Sequence, residues 1–246
     1  MLDLYEYVMM FGSMNMTLIG FQFYSYATGE GNSVTTRIDN LQILTDPTGD
    51  PGFEVNWYSS ASTPFAGWFA WTGETGVISR TSDAHSGLTA CNLTVEENDN
   101  AGVRRPINVH LDSSLFTNFS WRLDEITDTG AGWAYLELSF NNTHFVTYRL
   151  GHSSQYSLPS NSSNNIHILV DNFNQTGVWN NLVRNITHDV TSEFGQSNWI
   201  LTRLVVNTFA GAGGRTSLIC DDMDFKDGAS PVFSSVSVIT DPILST

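Results

Sequence analysis

From residue 46 to residue 227 the apolar residues recur with a period of two, in short runs separated by clusters of Gly, Asn, Asp and Ser. Side chains of an extended chain point alternately to opposite faces, so this pattern selects strands buried on one side and excludes a helical bundle. The runs at 52–57, 67–71, 77–81, 87–96, 105–111, 117–125, 132–140, 144–150, 166–172, 199–208 and 216–225 are predicted strands. The single helical candidate, 180–193, is rich in β-branched residues and reads as a poor helix. Many strands and no convincing amphipathic helix predict an all-β, antiparallel two-sheet sandwich. Within 132–140, Trp133, Tyr135, Glu137 and Ser139 share one face, while Ala134, Leu136, Leu138 and Phe140 share the other, predicted core face.

Charge narrows the partners. The chain of 246 residues carries 25 acidic and 10 basic side chains, a formal net charge of −15. Such a field repels phosphate backbones and anionic membrane surfaces, which excludes nucleic acid as an expected partner. No apolar run approaches the ~20 residues that span a bilayer, so no membrane insertion is expected. The start, Met1 to Tyr7, is acidic where a secretory signal would be basic. Seven Asn-x-Ser/Thr acceptors, at Asn15, Asn92, Asn118, Asn141, Asn161, Asn174 and Asn185, point instead to a secreted or cell-surface glycoprotein. The two observations agree if the chain is an internal piece of a longer secreted protein.

An internal repeat supports that reading. Sliding the first 45 residues by 183 positions sets Phe11, Gly12, Asn15 and Leu18 on Phe194, Gly195, Asn198 and Leu201. After a Gly-rich loop in both copies and one deleted residue, Ile38-Asp39-Asn40-Leu41-Gln42-Ile43 falls on Cys220-Asp221-Asp222-Met223-Asp224-Phe225. Residues 1–45 therefore read as the last strands of a preceding copy, 46–228 as a complete domain, and 229–246 as a linker or the first strand of a following module.

Asp50-Pro51-Gly52-Phe53-Glu54, Gly67-Trp68, His85-Ser86-Gly87-Leu88 and Asp221-Asp222-Met223-Asp224-Phe225 follow in that order. Together they resemble the carbohydrate-binding modules of the galactose-binding-like jelly-roll superfamily. The resemblance implies a jelly-roll sandwich and a structural calcium ion where the first and last strands meet. It places Glu54, the backbone near Gly87, and Asp221 as ligands, oxygen donors that suit a hard cation. Asp221, Asp222 and Asp224 can equally be solvated acids at a strand end.

Seven tryptophans, at 57, 68, 71, 121, 133, 179 and 199, supply rings that could stack on sugars. Trp68 and Trp199 are expected in the core. Trp133 and Tyr135, with Glu137 as a polar partner for hydroxyls, form the candidate ligand surface; the competing expectation is that loops cover this second face. Catalysis finds no support: the pairs Asp124/Glu125 and Glu96/Glu97 point to opposite faces of a strand. No nucleophile elbow or phosphate loop occurs, and the histidines at 85, 110, 144, 152, 167 and 188 lack metal-ligand spacing. Cys91 and Cys220 fall on strands that the resemblance makes neighbours, so they form either a disulfide or two buried thiols. Alternation keeps Cys91 in phase with Leu93 and Val95 but puts Cys220 out of phase with Met223 and Phe225.

The expected function is a non-catalytic carbohydrate-binding or adhesion module whose partners are a glycan or surface polymer and neighbouring modules of the same chain. The alternative is a structural spacer that binds nothing.

Overall fold

The computed structural model describes Phe53 and residues 68–111 and 114–227. Residues 1–45 and 229–246, expected to be a remnant and a following module, lie outside the described residues, as do Asn15, Glu54 and Trp57.

The described strands are β1 (Phe69–Thr72), β2 (Val77–Thr81), β3 (Ala90–Glu96), β4 (Asp99–His110), β5 (Leu115–Ile126), β6 (Gly132–Phe140), β7 (His144–His152), β8 (Asn165–Leu169), β9 (Asn180–Asn185), β10 (Ile200–Ala210) and β11 (Arg215–Asp227). The helix among the described residues, α1, spans Ile186–Phe194. The strands form a six-stranded sheet in the order β1-β4-β10-β6-β7-β8 and a five-stranded sheet in the order β2-β3-β11-β5-β9. This is a two-sheet sandwich of the jelly-roll type, and the period of two accounts for the buried and exposed faces of its strands.

Two local readings change. The segment 180–193 divides into β9 and α1 at Asn185, whose side chain accepts a hydrogen bond from the His188 amide at 3.0 Å. An asparagine cap satisfies an orphan amide of the first turn, and Asp189 places negative charge there, so the helix starts despite its β-branched residues. The sheets are antiparallel except for β7 and β8, which pair in parallel. Parallel neighbours need a long crossover rather than a tight turn, and residues 153–164 supply it.

The core lies between the sheets. Ala134, Leu136, Leu138 and Phe140 of β6 are fully buried, as are Val146, Tyr148, Leu204 and Val206 from the same sheet. Leu93, Phe119, Trp121, Leu123 and Leu218 face them from the other sheet. Phe53 and Trp68 close one end, ring centroids 4.9 Å apart, and Trp199 is buried as expected. Asp189 is buried behind the core, taking hydrogen bonds from the Tyr148 hydroxyl at 2.8 Å and from Arg184 Nη2 at 2.8 Å and Nε at 3.1 Å.

Cys91 and Cys220 are paired residues in the β3–β11 register, both buried and both free thiols. Burial, and then the hydrogen bond with Cys220, hold the Cys91 thiol well above its usual range. The phase conflict has a local cause. The β11–β5 register shifts between Asp221 and Asp224, with Asp222 in the left-handed region at φ 49°. A bulge inserts a residue and reverses the alternation, so Cys220 and Met223 both reach the core.

Candidate functional site

The face of the six-stranded sheet turned away from the core is assembled from rows of cross-strand neighbours. One row runs Trp71, Gly102, Asn207, Tyr135, Arg149. The next runs Asn100, Phe209, Trp133, His152, and on the other side Arg104, Val205, Glu137, Thr147, His167. These rows floor a cleft of about 690 Å³, and the 153–164 crossover walls one side with Tyr156, Pro159 and Ser160. The volume lies within the range of small-molecule sites.

Aromatic rings dominate the cleft, and each is held by a different device. Trp71 lies across Gly102: a Cβ at that position would stand 2.5 Å from the indole Cη2 and 2.8 Å from Cε2. The glycine thus leaves the room in which the ring rests, and Trp71 Nε1 donates to Asn100 Oδ1 at 3.0 Å to fix its orientation. Trp133 stacks on Phe209, centroids 4.0 Å apart and planes at 16°, and also touches Tyr156 at 4.5 Å. Tyr135 carries the Arg149 guanidinium 5.1 Å above its ring centre. Trp133, Tyr135, Trp71, Tyr156 and Phe209 are half-buried, so loops border this face without sealing it.

Polar groups are interleaved with the rings. Glu137 lies 3.7 Å from Arg203 Nη2. Burial raises its carboxyl above the usual range, opposed by the charges of Arg203 and Arg149. Burial, reinforced by Glu137, pushes the Tyr135 phenol up to about 12, so it stays a hydroxyl donor at neutral pH. Arg149 Nη2 lies 3.1 Å from His167 Nδ1. A guanidinium only donates, so Nδ1 accepts and the ring proton sits on Nε2. Burial, then the Arg149 charge, hold His167 below its ordinary value and keep the imidazole neutral.

The three expected ligand residues, Trp133, Tyr135 and Glu137, therefore all line one cleft. Sequence reading missed Arg149, Tyr156, Asn207 and Phe209, and left Trp71 unassigned. The usable signal was phase alone: Trp71 is two residues from Phe69 and so shares its exposed face of the strand.

The expected calcium ligands are only partly described. Asp221 is fully buried, and its Oδ2 accepts from the amides of His85 at 2.9 Å and Ser86 at 3.0 Å, while Oδ1 accepts from the Asp222 amide at 2.9 Å. Gly87, in the left-handed region at φ 63°, follows directly in the same loop, so the loop and the last strand do meet. Desolvation raises the Asp221 carboxyl to about 7 against the pull of these amides. With Oδ2 filled by two amides, one Oδ1 lone pair is left for a cation. The described residues alone do not make a calcium cage, and among them no group of three or more acidic, His or Cys side chains could hold a metal.

Four acceptor asparagines are already used structurally through Oδ1: Asn141 takes the Ile200 amide, Asn161 the His167 amide, Asn174 the His152 amide and Asn185 the His188 amide. Asn92 and Asn118 lie within strands β3 and β5 and are half-buried.

No protein-family model matches the chain, and no curated protein matches it in sequence. Among solved structures it is similar to TmCBM61, determined with β-1,4-galactotriose, at 14% identity and TM-score 0.44, covering 75% of this chain and 100% of that one. It is also similar to the family 11 carbohydrate-binding module from Clostridium thermocellum, in complex with a β-1,3-1,4-mixed-linked tetrasaccharide, at 8% identity and TM-score 0.39, covering 72% and 96%. Endoglucanase cel12A from Rhodothermus marinus is similar at 13% identity and TM-score 0.47, covering 66% and 92%.

Proposed function

We propose that this chain is a carbohydrate-binding module and that its glycan lies in the cleft on the outer face of the six-stranded sheet. The observation that carries the reading is the cleft's composition. Half-buried aromatic rings alternate with Glu137, Asn207, Thr147 and the Tyr135 hydroxyl on a face the core does not need. Rings accept the apolar face of a pyranose and polar groups accept its hydroxyls, which is the division a sugar site requires. Trp71 is the principal platform, because Gly102 holds one side of its indole while Trp133 is already engaged by Phe209 and Tyr156.

The module is non-catalytic in this reading. Glycosidic hydrolysis uses two carboxyl groups about 5–9 Å apart, and Glu137 is the one carboxylate among the described cleft residues. A secreted or surface location, the tandem arrangement and use of the glycosylation sites belong to the same proposal, supported by the acceptor sequences and the repeat. So does the calcium ion, which needs Glu54 to complete the Asp221 end.

Binding of the chain to a panel of immobilised polysaccharides, with calcium and with chelator, tests the reading. Retention of at least one polysaccharide by the parent and its loss in Trp71→Ala is expected. No retention of any sugar would leave the spacer alternative standing, and identical behaviour with calcium and chelator, in binding and in melting temperature, would remove the ion.

A further inference from the structure

Arg149 sits beneath the cleft in an arrangement that the packing of the sheet does not explain. It is 5% exposed, and of its guanidinium only Nη2 has a hydrogen-bond partner, His167; Nε and Nη1 are buried without one. The ring faces of Tyr135 and Tyr156, at 5.1 Å and 5.7 Å, contact the guanidinium but accept no conventional hydrogen bond. A guanidinium stays charged in proteins, and burying a charge with unpartnered donors is unfavourable unless something accepts from it. The register shift between Ala134 and Tyr135 opposite β7 falls beside Arg149, the kind of irregularity that re-aims a side chain next to a binding site.

The charge on this face points the same way. The chain as a whole has 25 acidic residues against 10 basic ones. On the described outer strand positions of the six-stranded sheet the balance reverses: Arg104, Arg149 and Arg203 against one carboxylate, Glu137. Arg203 reaches toward Glu137, so among the described residues Arg149 and Arg104 have no carboxylate within salt-bridge distance. Fields from acids elsewhere are screened beyond roughly 10 Å at ordinary ionic strength, so a ligand in the cleft experiences this local excess.

We propose that the cleft selects an acidic sugar, a uronic acid residue whose carboxylate is taken by Arg149. This rests on the carbohydrate reading and makes it specific. The planar guanidinium matches a carboxylate in geometry as well as charge, and a charge-assisted bond would satisfy a donor the fold leaves unpartnered once the Tyr156 side chain, 5.7 Å away, shifts to admit the carboxylate. Trp71, in the same cross-strand row, would hold a neighbouring ring of the glycan.

The test uses the full chain and three probes in titration calorimetry: a galacturonic acid oligomer, the same oligomer with its carboxylates reduced to alcohols, and a sulfated neutral oligosaccharide. The uronate oligomer is expected to bind at least about tenfold tighter than its reduced form at about 0.1 M sodium chloride, where the field of the rest of the chain is screened. That ratio should shrink as sodium chloride is raised and fall to about one in Arg149→Gln, while Arg149→Lys keeps part of it. Because Arg149→Gln alters a buried site, the parent's own uronate-to-reduced ratio decides the matter if that variant fails to fold. Equal or tighter binding of the reduced oligomer would overturn the acidic-sugar inference and leave the carbohydrate reading intact. A preference for the sulfated probe would overturn the carboxylate assignment, and no binding of these or any neutral glycan would overturn both.

Discussion

The contact between Trp71 and Gly102 allows the binding platform to be perturbed without touching the ring itself. In Gly102→Ala the new methyl would sit 2.5 Å from Cη2 and 2.8 Å from Cε2 of the indole, against ordinary contact distances near 3.5–4 Å. The indole must move by about 1 Å or more, and its 3.0 Å bond to Asn100 cannot survive that shift. Losing a partly exposed hydrogen bond costs about 0.5–1.5 kcal/mol. Gly102 has no left-handed backbone requirement, so alanine also restricts the unfolded chain and returns about 0.4–1 kcal/mol. The two nearly cancel, and the melting temperature should move by no more than a few degrees. Binding has no such compensation: a displaced ring forfeits about 0.5–1.5 kcal/mol of stacking, a two- to twelve-fold rise in Kd. Calorimetry on a polysaccharide that the parent retains, paired with thermal unfolding, reads both quantities. Unchanged affinity in Gly102→Ala would refute Trp71 as a platform. A large loss of stability would show instead that the contact serves the fold.

Two further outcomes follow from the buried acids. Asp189→Ala strips the partner from the fully buried Tyr148 hydroxyl, at about 1–3 kcal/mol, and from Arg184, whose partial exposure lets water replace most of what is lost. Urea unfolding should report a total of about 2–3 kcal/mol, and adding Tyr148→Phe should recover part of it; strict additivity of the two would contradict the shared bond. Asp221 is held near 7 in the folded chain against an ordinary value of 3.8, so the native state binds its proton more tightly than the unfolded state. Its contribution to stability is fully present below about pH 4 and is lost as pH rises toward 7. With chelator present, the unfolding free energy of Asp221→Asn relative to the parent should therefore improve between pH 5 and about 7.5, and a pH-independent difference would disprove the raised carboxyl.

The alternation along 132–140 was enough to place Trp133, Tyr135 and Glu137 on the face opposite the core, because phase within one strand is a local property. The all-β sandwich follows from the same rule repeated along the chain. Other features escaped it for identifiable reasons. Cys220 read as out of phase because a left-handed residue at Asp222 inserts a bulge whose presence depends on the loop it packs against, with His85 and Ser86 bonded to the Asp pair. The break between β9 and α1 turns on a single cap at Asn185, set inside a stretch whose propensities are mixed.

What the sequence determined by itself is the strand period, the buried and exposed faces and the excess of acid over base. Which exposed faces become neighbours was decided only by the tertiary structure. Trp71, Asn207, Tyr135 and Arg149 come from β1, β10, β6 and β7 and meet in one row through hydrogen-bond registers between distant segments. The parallel placement of β8 sends the 153–164 crossover past that row and brings Tyr156 to the cleft. Pattern along a strand is fixed by backbone geometry, whereas order and register across a sheet are fixed by how all the strands bury their apolar faces together.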